Sequence, residues 1–498
     1  MIPLRFLLSA APVLASAHDF SAPPDSSRQQ NPSLVTRGEG FIRSPLNVLP
    51  NPAPPKLIRG RQNEVTIENQ FTGTRYGVDI EVGTPGQKLT LILDTGSPDT
   101  WVNPTCDTAN VPDDCRSFPV YDWRKSSSLN ATRVTDILVY GKGNATIQYV
   151  RESVKIGGAT VRNQVIGVAL ESHDIPLGIL GLSPPIRGVN EYPYILDTMK
   201  DQKLIDSRAF SMDLRTVDSP EGALIFGGVD TGKYIGSLAK LPMLPQNQTP
   251  RGADRYYVTM SGVGLTYPDG LVERSQELEV PVFLDSGGTL SRLPRRIYQA
   301  FASSFADTQY DPSTGFYFLD CNVADLEGSI DFYFGDKVIN VPFNDFIWHV
   351  QGYCVLGVLP DDDGEPVLGD TFLRAAYVVF DQDNRNLHLA QAANCGSNII
   401  AISTGPDAVP SATGRCTAPP PRPTSGNNNL DVTAERGPTA TFTGVGPTGI
   451  DIGPGPVATR VSGTGPLGIN PTGQSKAYSL KIDVWKAVVG ALVVGLIM

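Results

Sequence analysis

Leu89-Thr-Leu-Ile-Leu-Asp94-Thr95-Gly96-Ser97 is answered further along the chain by Val280-Pro-Val-Phe-Leu-Asp285-Ser286-Gly287-Gly288-Thr289. Each stretch is an apolar strand that ends on an aspartate, followed by a hydroxyl residue and a glycine. Ile179-Leu180-Gly181 lies downstream of the first and Val367-Leu368-Gly369 downstream of the second. Asp94 precedes Leu180 by 86 residues and Asp285 precedes Leu368 by 83. A lone Asp-Thr-Gly says little, because chance supplies one in roughly sixteen chains of this length. Two such motifs with matching partners at matching distances describe a duplicated lobe.

The residues dictate a chemistry. Glycine after the hydroxyl residue permits a tight turn that lifts the aspartate toward the lobe interface. If pseudo-two-fold symmetry relates the lobes, Asp94 and Asp285 meet across a cleft, where two touching carboxylates cannot both ionise cheaply and so share a proton. One protonated and one ionised carboxyl supply an acid and a base around a water, with no metal, cofactor or covalent intermediate. Proton sharing of this kind is a general property of closely paired carboxyls.

Around these motifs, Gln62 to Cys395 reads as short β-branched and aromatic runs broken by Gly, Pro, Asn and Asp. Strands are expected at Tyr76–Val82, Leu89–Asp94, Asp136–Tyr140, Ala223–Gly227, Tyr256–Met260 and Ala376–Asp381, and helices at Tyr192–Gln202 and Arg295–Phe305. The fold class is all-β, in two pseudo-symmetric lobes with the site in the cleft between them.

Both termini carry addresses. Arg5, the apolar run Phe6–Leu14 and the small residues Ala15-Ser16-Ala17 make residues 1–17 a signal peptide. Residues 18–61 are rich in Pro and Ser and hold Arg28, Arg37, Arg43, Lys56, Arg59 and Arg61 against three acids. A basic leader ahead of an acidic domain reads as a pro-segment lying over an acidic cleft, with Arg59-Gly60-Arg61 available to a processing protease. Lobes follow at 62–216 and 217–398. From 399 to 473 the composition turns to Gly, Pro, Thr and Ser with Phe442 the only aromatic, which reads as a disordered stalk. The apolar run Ala487–Met498 ends the chain, and twelve helical residues reach only about 18 Å, too short to span a bilayer. With the mixed spacer and the trio Gly473-Gln474-Ser475, residues 474–498 form a glycosylphosphatidylinositol-anchor signal, with attachment at Gly473 or Ser475.

Composition excludes several classes. Forty Lys and Arg against 51 Asp and Glu give a net charge of −11, which repels nucleic acid. Four His, at 18, 173, 349 and 388, show no close ligand spacing, and no G-x-S-x-G occurs. Six cysteines, Cys106, Cys115, Cys321, Cys354, Cys395 and Cys416, allow fifteen pairings. Sequence separation favours joining them in consecutive pairs. Sequons stand at Asn130, Asn144 and Asn247.

The motifs carry a family resemblance. Asp94-Thr-Gly-Ser97 with Trp101, Tyr140-Gly141-Lys142-Gly143, Gly178-Ile-Leu-Gly-Leu182, Ala209-Phe-Ser-Met, Phe226-Gly-Gly-Val-Asp230, Asp285-Ser-Gly-Gly-Thr289 and Val367-Leu-Gly-Asp370-Thr-Phe-Leu-Arg374 cover most of both lobes in order. Residues 65–395 resemble the pepsin-like aspartic proteases, and the whole resembles their fungal membrane-anchored, yapsin-like branch. The resemblance implies an acid-active endopeptidase with Asp94 and Asp285 as the catalytic pair, Ser97 and Thr289 in support, and Tyr140 on a flap near the Trp101 indole. Gly96 and Gly287 would contact the substrate backbone, Cys321–Cys354 matches the second-lobe disulfide, and Cys106–Cys115 the first-lobe loop. The implied partners are peptide or protein substrates and a membrane; the protein is expected to be a monomer.

Three positions depart from the family pattern. Gly288 replaces a hydroxyl residue. Lys142 sets a positive charge on the flap, so no taste for lysine before the scissile bond arises there. Asn144 puts a sequon at the flap tip, where a glycan would crowd the entrance. A catalytically silent peptide-binding protein is the competing class, but such proteins typically lose one aspartate and both are present. A structural wall protein fits the tail and leaves the paired motifs unexplained.

Overall fold

The computed structural model describes residues 37–38, 40–49, 75–185, 192–417 (apart from 218, 220, 313 and 351), 427–430 and 459–462. The signal peptide, the Arg59-Gly60-Arg61 site, most of the stalk and the anchor signal lie outside the described residues. Strands form where apolar residues alternate. In Arg75–Val82, Tyr76, Val78, Ile80 and Val82 are buried while Asp79 and Glu81 turn outward. The helices are short, and Ile195–Asp201 and Arg295–Ser304 fall inside the two windows that periodicity marks.

The duplication is visible in the pairing. In the first lobe Gln87–Asp94 runs parallel to Ile179–Gly181, with Leu93 opposite Leu180 and Asp94 opposite Gly181. In the second, Val280–Leu284 runs parallel to Val367–Leu368, with Leu284 opposite Leu368. In each lobe the strand after the aspartate loop then pairs antiparallel to that short strand, Trp101 with Ile179 and Arg292 with Val367. Each apolar-apolar-Gly triplet is thus the neighbour of its aspartate strand. Its glycine is needed for close approach. A Cβ on Gly181 would sit 2.5 Å from the Asp99 carbonyl oxygen, and one on Gly369 2.4 Å from that of Gly288.

A single sheet joins the lobes. Its middle runs Asn386–Ala392, Ala376–Asp381, Ala209–Asp213, Glu221–Phe226, Phe41–Leu49, Arg75–Val82 and Gln87–Asp94, drawing strands from both halves of the chain. Phe41–Leu49 belongs to the stretch that composition assigns to a low-order leader lying over the cleft. It is instead an interior strand, paired with Glu221–Phe226 on one side and Arg75–Val82 on the other. The arginines of the leader mask a short alternating pattern in which Ile42, Ser44 and Leu46 are buried.

The second lobe also runs beyond residue 398, where composition ends it. Ile399–Ala401 pairs with Gly228–Asp230, and Ile402, Ala408 and Val409 are buried against Val229 and Tyr377. Three disulfides, Cys106–Cys115, Cys321–Cys354 and Cys395–Cys416, join the cysteines in consecutive pairs, and the last staples this extension to the lobe. A window dominated by Gly, Pro, Ser and Thr conceals the apolar run Ile399-Ile-Ala-Ile402, whose first three residues form a two-stranded sheet with Gly228–Asp230. Among the described residues no helix is long and apolar enough to cross a membrane.

A chain stopped after residue 398 loses that strand and leaves Cys395 unpaired. It should melt several degrees below a chain stopped after residue 417. Differential scanning calorimetry of the two truncations checks this, and equal melting temperatures would make the extension a passive tail.

Candidate active site

The two aspartate loops hold each other through their hydroxyl residues. Thr95 Oγ1 donates to the Leu284 carbonyl (2.9 Å) and accepts from the Ser286 N–H (3.0 Å). Ser286 Oγ donates to the Leu93 carbonyl (3.1 Å) and accepts from the Thr95 N–H (3.2 Å). All four bonds are buried and each crosses between lobes. At about 1 kcal/mol net apiece they contribute roughly 4 kcal/mol, and breaking one strands a buried donor or acceptor at higher cost.

Above this grip the carboxyls meet. A Cβ on Gly96 would lie 2.6 Å from Asp285 Oδ2, and one on Gly287 2.7 Å from Asp94 Oδ1. Neither glycine has a positive φ, so it is the opposite carboxylate and not a left-handed turn that demands glycine here. Gly96 N–H donates to Asp94 Oδ1 (2.7 Å) and Gly287 N–H to Asp285 Oδ1 (2.8 Å). With both amides engaged, backbone contact to a peptide falls to carbonyls, and of the pair only Gly287 is exposed.

The surroundings of the two carboxyls differ. Burial raises both above the usual range. The charge of Asp285 raises Asp94 further, against the Ser97 hydroxyl that donates to Asp94 Oδ2. Asp285 is pulled down by the Gly287 amide and by the positive charge of Arg255. Thr289 offers its carbonyl to the Thr371 N–H (3.1 Å).

The flap is the hairpin of Asn130–Val139 and Asn144–Ile156, turning through Tyr140–Gly143. Trp101, fully buried, donates its indole N–H to Tyr140 Oη at 2.7 Å, and the Ser97 hydroxyl faces the same oxygen. A polar line thus runs from flap to dyad. At its base Asp99 accepts hydrogen bonds from Tyr149 Oη (2.9 Å) and from the Tyr192 hydroxyl. Burial lifts Asp99 to about 6, against those two bonds. Lys142 is half-buried in the flap turn, and burial lowers its ammonium to about 8, which leaves it charged in acid. Asn144 opens the second flap strand and is half-buried, as is Asn130, whereas Asn247 is exposed on a short turn. Among the described residues the cluster with metal-ligand spacing is Cys321, His349 and Cys354, and two of these are joined as a disulfide.

Sequence reading passed over Thr95 and Ser286 as a lock, though a hydroxyl at the same place in both motifs was the signal. Asp99, Tyr192 and Arg255 carried none, because their meaning lies in what the fold sets beside them.

Two lobes, each presenting an aspartate on a matching loop to one cleft, define a bilobal acid–base hydrolase. Residues 75–392 match the family described as eukaryotic aspartyl protease. The chain is 33% identical over 369 residues to "Probable aspartic-type endopeptidase opsB" of Aspergillus fumigatus, covering 70% of this chain and 75% of that one. It is 33% identical over 342 residues to an acid protease of Saccharomycopsis fibuligera (66% and 83%). It is 32% identical over 360 residues to aspartic proteinase yapsin-3 of Saccharomyces cerevisiae (67% and 70%). An aspartic proteinase from Irpex lacteus shares the fold, with a TM-score of 0.53 at 22% identity over 71% of this chain and 97% of that one. The chain belongs to the pepsin-like aspartic protease family and is an aspartic-type endopeptidase.

The buried carboxyls predict how stability follows pH. Asp99 holds its proton to about 6 when folded but only to 3.8 as a free side chain, so unfolding releases a proton between those values. Its contribution is full below pH ~4 and is lost as pH rises, by about 3 kcal/mol once pH exceeds ~6. Asp94 and Asp285, both raised, act in the same direction. The melting temperature should fall steadily from pH 4 to pH 7, and Asp99→Asn should flatten part of the slope. A melting temperature that climbs across this window would contradict the assignment.

Proposed function

We propose that this chain is a secreted, surface-anchored endopeptidase with an acid optimum, in which Asp94 and Asp285 activate water between them. The observation that carries the reading is the contact of two carboxyls, Asp94 buried and Asp285 half-buried, with unequal surroundings. Asp285, ionised, takes a proton from the attacking water, while Asp94 gives its proton to the carbonyl oxygen of the scissile peptide. Proton transfer from Asp285 to the departing nitrogen breaks the C–N bond, and the gem-diol returns one hydroxyl proton to Asp94 as it collapses to the product carboxyl, which restores the pair. The substrate lies extended beneath the flap, held largely through its main chain. Both limbs of the pH dependence then belong to the pair: one carboxyl must ionise and the other must keep its proton.

The addresses at the ends support the surface location. Residues 1–17 act as the signal peptide and 18–61 as a pro-segment, whose strand Phe41–Leu49 fills an interior place in the sheet and so assists folding. Beyond the ordered lobe, a stalk reaching residue 473 carries the enzyme away from a membrane anchored through Gly473 or Ser475.

Asp94→Asn and Asp285→Asn should each abolish hydrolysis of denatured haemoglobin at acid pH, at least a thousandfold, with melting behaviour retained. Substantial activity in either variant would overturn the pairing. Full-length protein on cells should be released by phosphatidylinositol-specific phospholipase; protein that is already soluble in the medium and indifferent to the lipase would rule out the anchor.

A further inference from the structure

The two halves of the site are not equivalent, and the difference has a structural cause. In the first motif Ser97 sends its hydroxyl to Asp94, while in the second the matching position is Gly288. Space does not require that glycine. A Cβ there meets nothing closer than 3.8 Å, and it would stand 4.0 Å from Asp285 Oδ2. Asp285 therefore lacks a hydroxyl donor that its loop has room to provide.

A cation stands nearby instead. Phe283 lies two residues before Asp285 on the strand Val280–Leu284, so their side chains share a face, whereas Leu284 points into the core. The Arg255 guanidinium lies over the Phe283 ring, 5.1 Å from its centroid, just ahead of the strand Tyr257–Met260 that pairs Tyr257 with Phe283. Arg255 is only 5% exposed, and Phe283 is packed among Tyr257 and Val367, so water screens this charge weakly. The adjacent carboxylate, Asp254, is engaged by Arg385 at 2.9 Å. The titratable groups that bear on Asp285 are Asp94 across the cleft, Arg255, and Asp370 from the turn after Val367–Leu368, whose carboxyl burial raises well above the usual range. On the other side Asp94 faces Asp285 and the neutral Tyr140 hydroxyl from the flap.

We propose that Arg255 is a positioning residue of the dyad: clamped on Phe283, it gives Asp285 a stabilisation of negative charge that Gly288 cannot, and so makes Asp285 the base and Asp94 the acid against the opposite pull of Ser97 on Asp94. This rests on the dyad reading above. Arg255 touches no reacting atom; it acts through the carboxylate beside it. Its counterpart is the absent hydroxyl, so either device should substitute for the other.

The test is the pH dependence of kcat/KM, on a peptide with uncharged residues after the scissile bond, for the unmodified enzyme, Arg255→Met, Arg255→Lys, Gly288→Ser and the double variant. Removing the cation makes the base harder to ionise. Arg255→Met should therefore move the acid limb up by about half to one pH unit, the size of one charged hydrogen bond. Arg255→Lys should stay within a few tenths of a unit of the unmodified enzyme. Gly288→Ser alone should move the limb down, and in the Arg255→Met background should bring it back. A stationary limb in Arg255→Met, an equal shift in Arg255→Lys, or no rescue by Gly288→Ser would overturn the proposal. So would an effect confined to KM for substrates with acidic residues after the scissile bond, which would make Arg255 a substrate contact. If Arg255→Met does not fold, Arg255→Gln takes its place in the same comparison. Asp94→Asn run alongside separates the cases, since activity there sinks the dyad itself and not the role of Arg255.

Discussion

Everything in the cleft depends on the reciprocal bonds between Thr95 and Ser286. Two like-charged loops from different lobes would separate if only their carboxyls faced each other. The hydroxyls beneath them reach the backbone of the opposite loop, through Leu284 and Leu93, and set the distance at which Asp94 and Asp285 meet. The glycines that follow make that distance possible, because any Cβ at 96 or 287 would collide with the facing carboxylate. The Asp-hydroxyl-Gly motif is thus one mechanical unit with three parts: a titrating group, a latch and a gap.

Closing the carboxyls into this unit has an energetic consequence beyond catalysis. Burial raises Asp94, Asp285, Asp99 and Asp370 together, so these four groups hold their protons to higher pH in the folded chain than in the unfolded one. The burial that gives the dyad a protonated member therefore also suits the fold to acid. Symmetry of the lobes would leave the two carboxyls interchangeable. Arg255 beside Asp285 breaks that symmetry, against the Ser97 hydroxyl that favours a charge on Asp94, and divides the pair into base and acid.

The lobes are joined by a sheet that takes strands from both, and one of its interior strands comes from the leader. Phe41–Leu49 is hydrogen-bonded along both edges, so the leader contributes to the same sheet that fixes how the lobes stand relative to each other. The extension from Ile399 to Cys416 plays a smaller part on the second lobe, where a two-stranded pairing with Gly228–Asp230 and a disulfide hold it in place.

The sequence by itself determined the duplication, the β class and the aspartates, and the separations of its cysteines favoured consecutive pairs. These are local patterns or repeats: period-two apolar runs ending on Asp94 and Asp285, and two Ile/Val-Leu-Gly triplets at matching distances, leave a trace in one dimension. Only the tertiary structure decided that Gly96 and Gly287 make room for the facing carboxylate and that Arg255 belongs to the site. Arg255 and Asp285 are brought together by the pairing of Tyr257 with Phe283, and nothing in the run Asp254-Arg255-Tyr256-Tyr257 announces it. The leader and the stalk misled for the opposite reason. Composition averages over a window, whereas Ile42, Leu46 and Ile402 are held by edges that exist only once the remaining strands have folded. Charge and burial are properties of surroundings, and the surroundings are assembled from residues far apart in the chain.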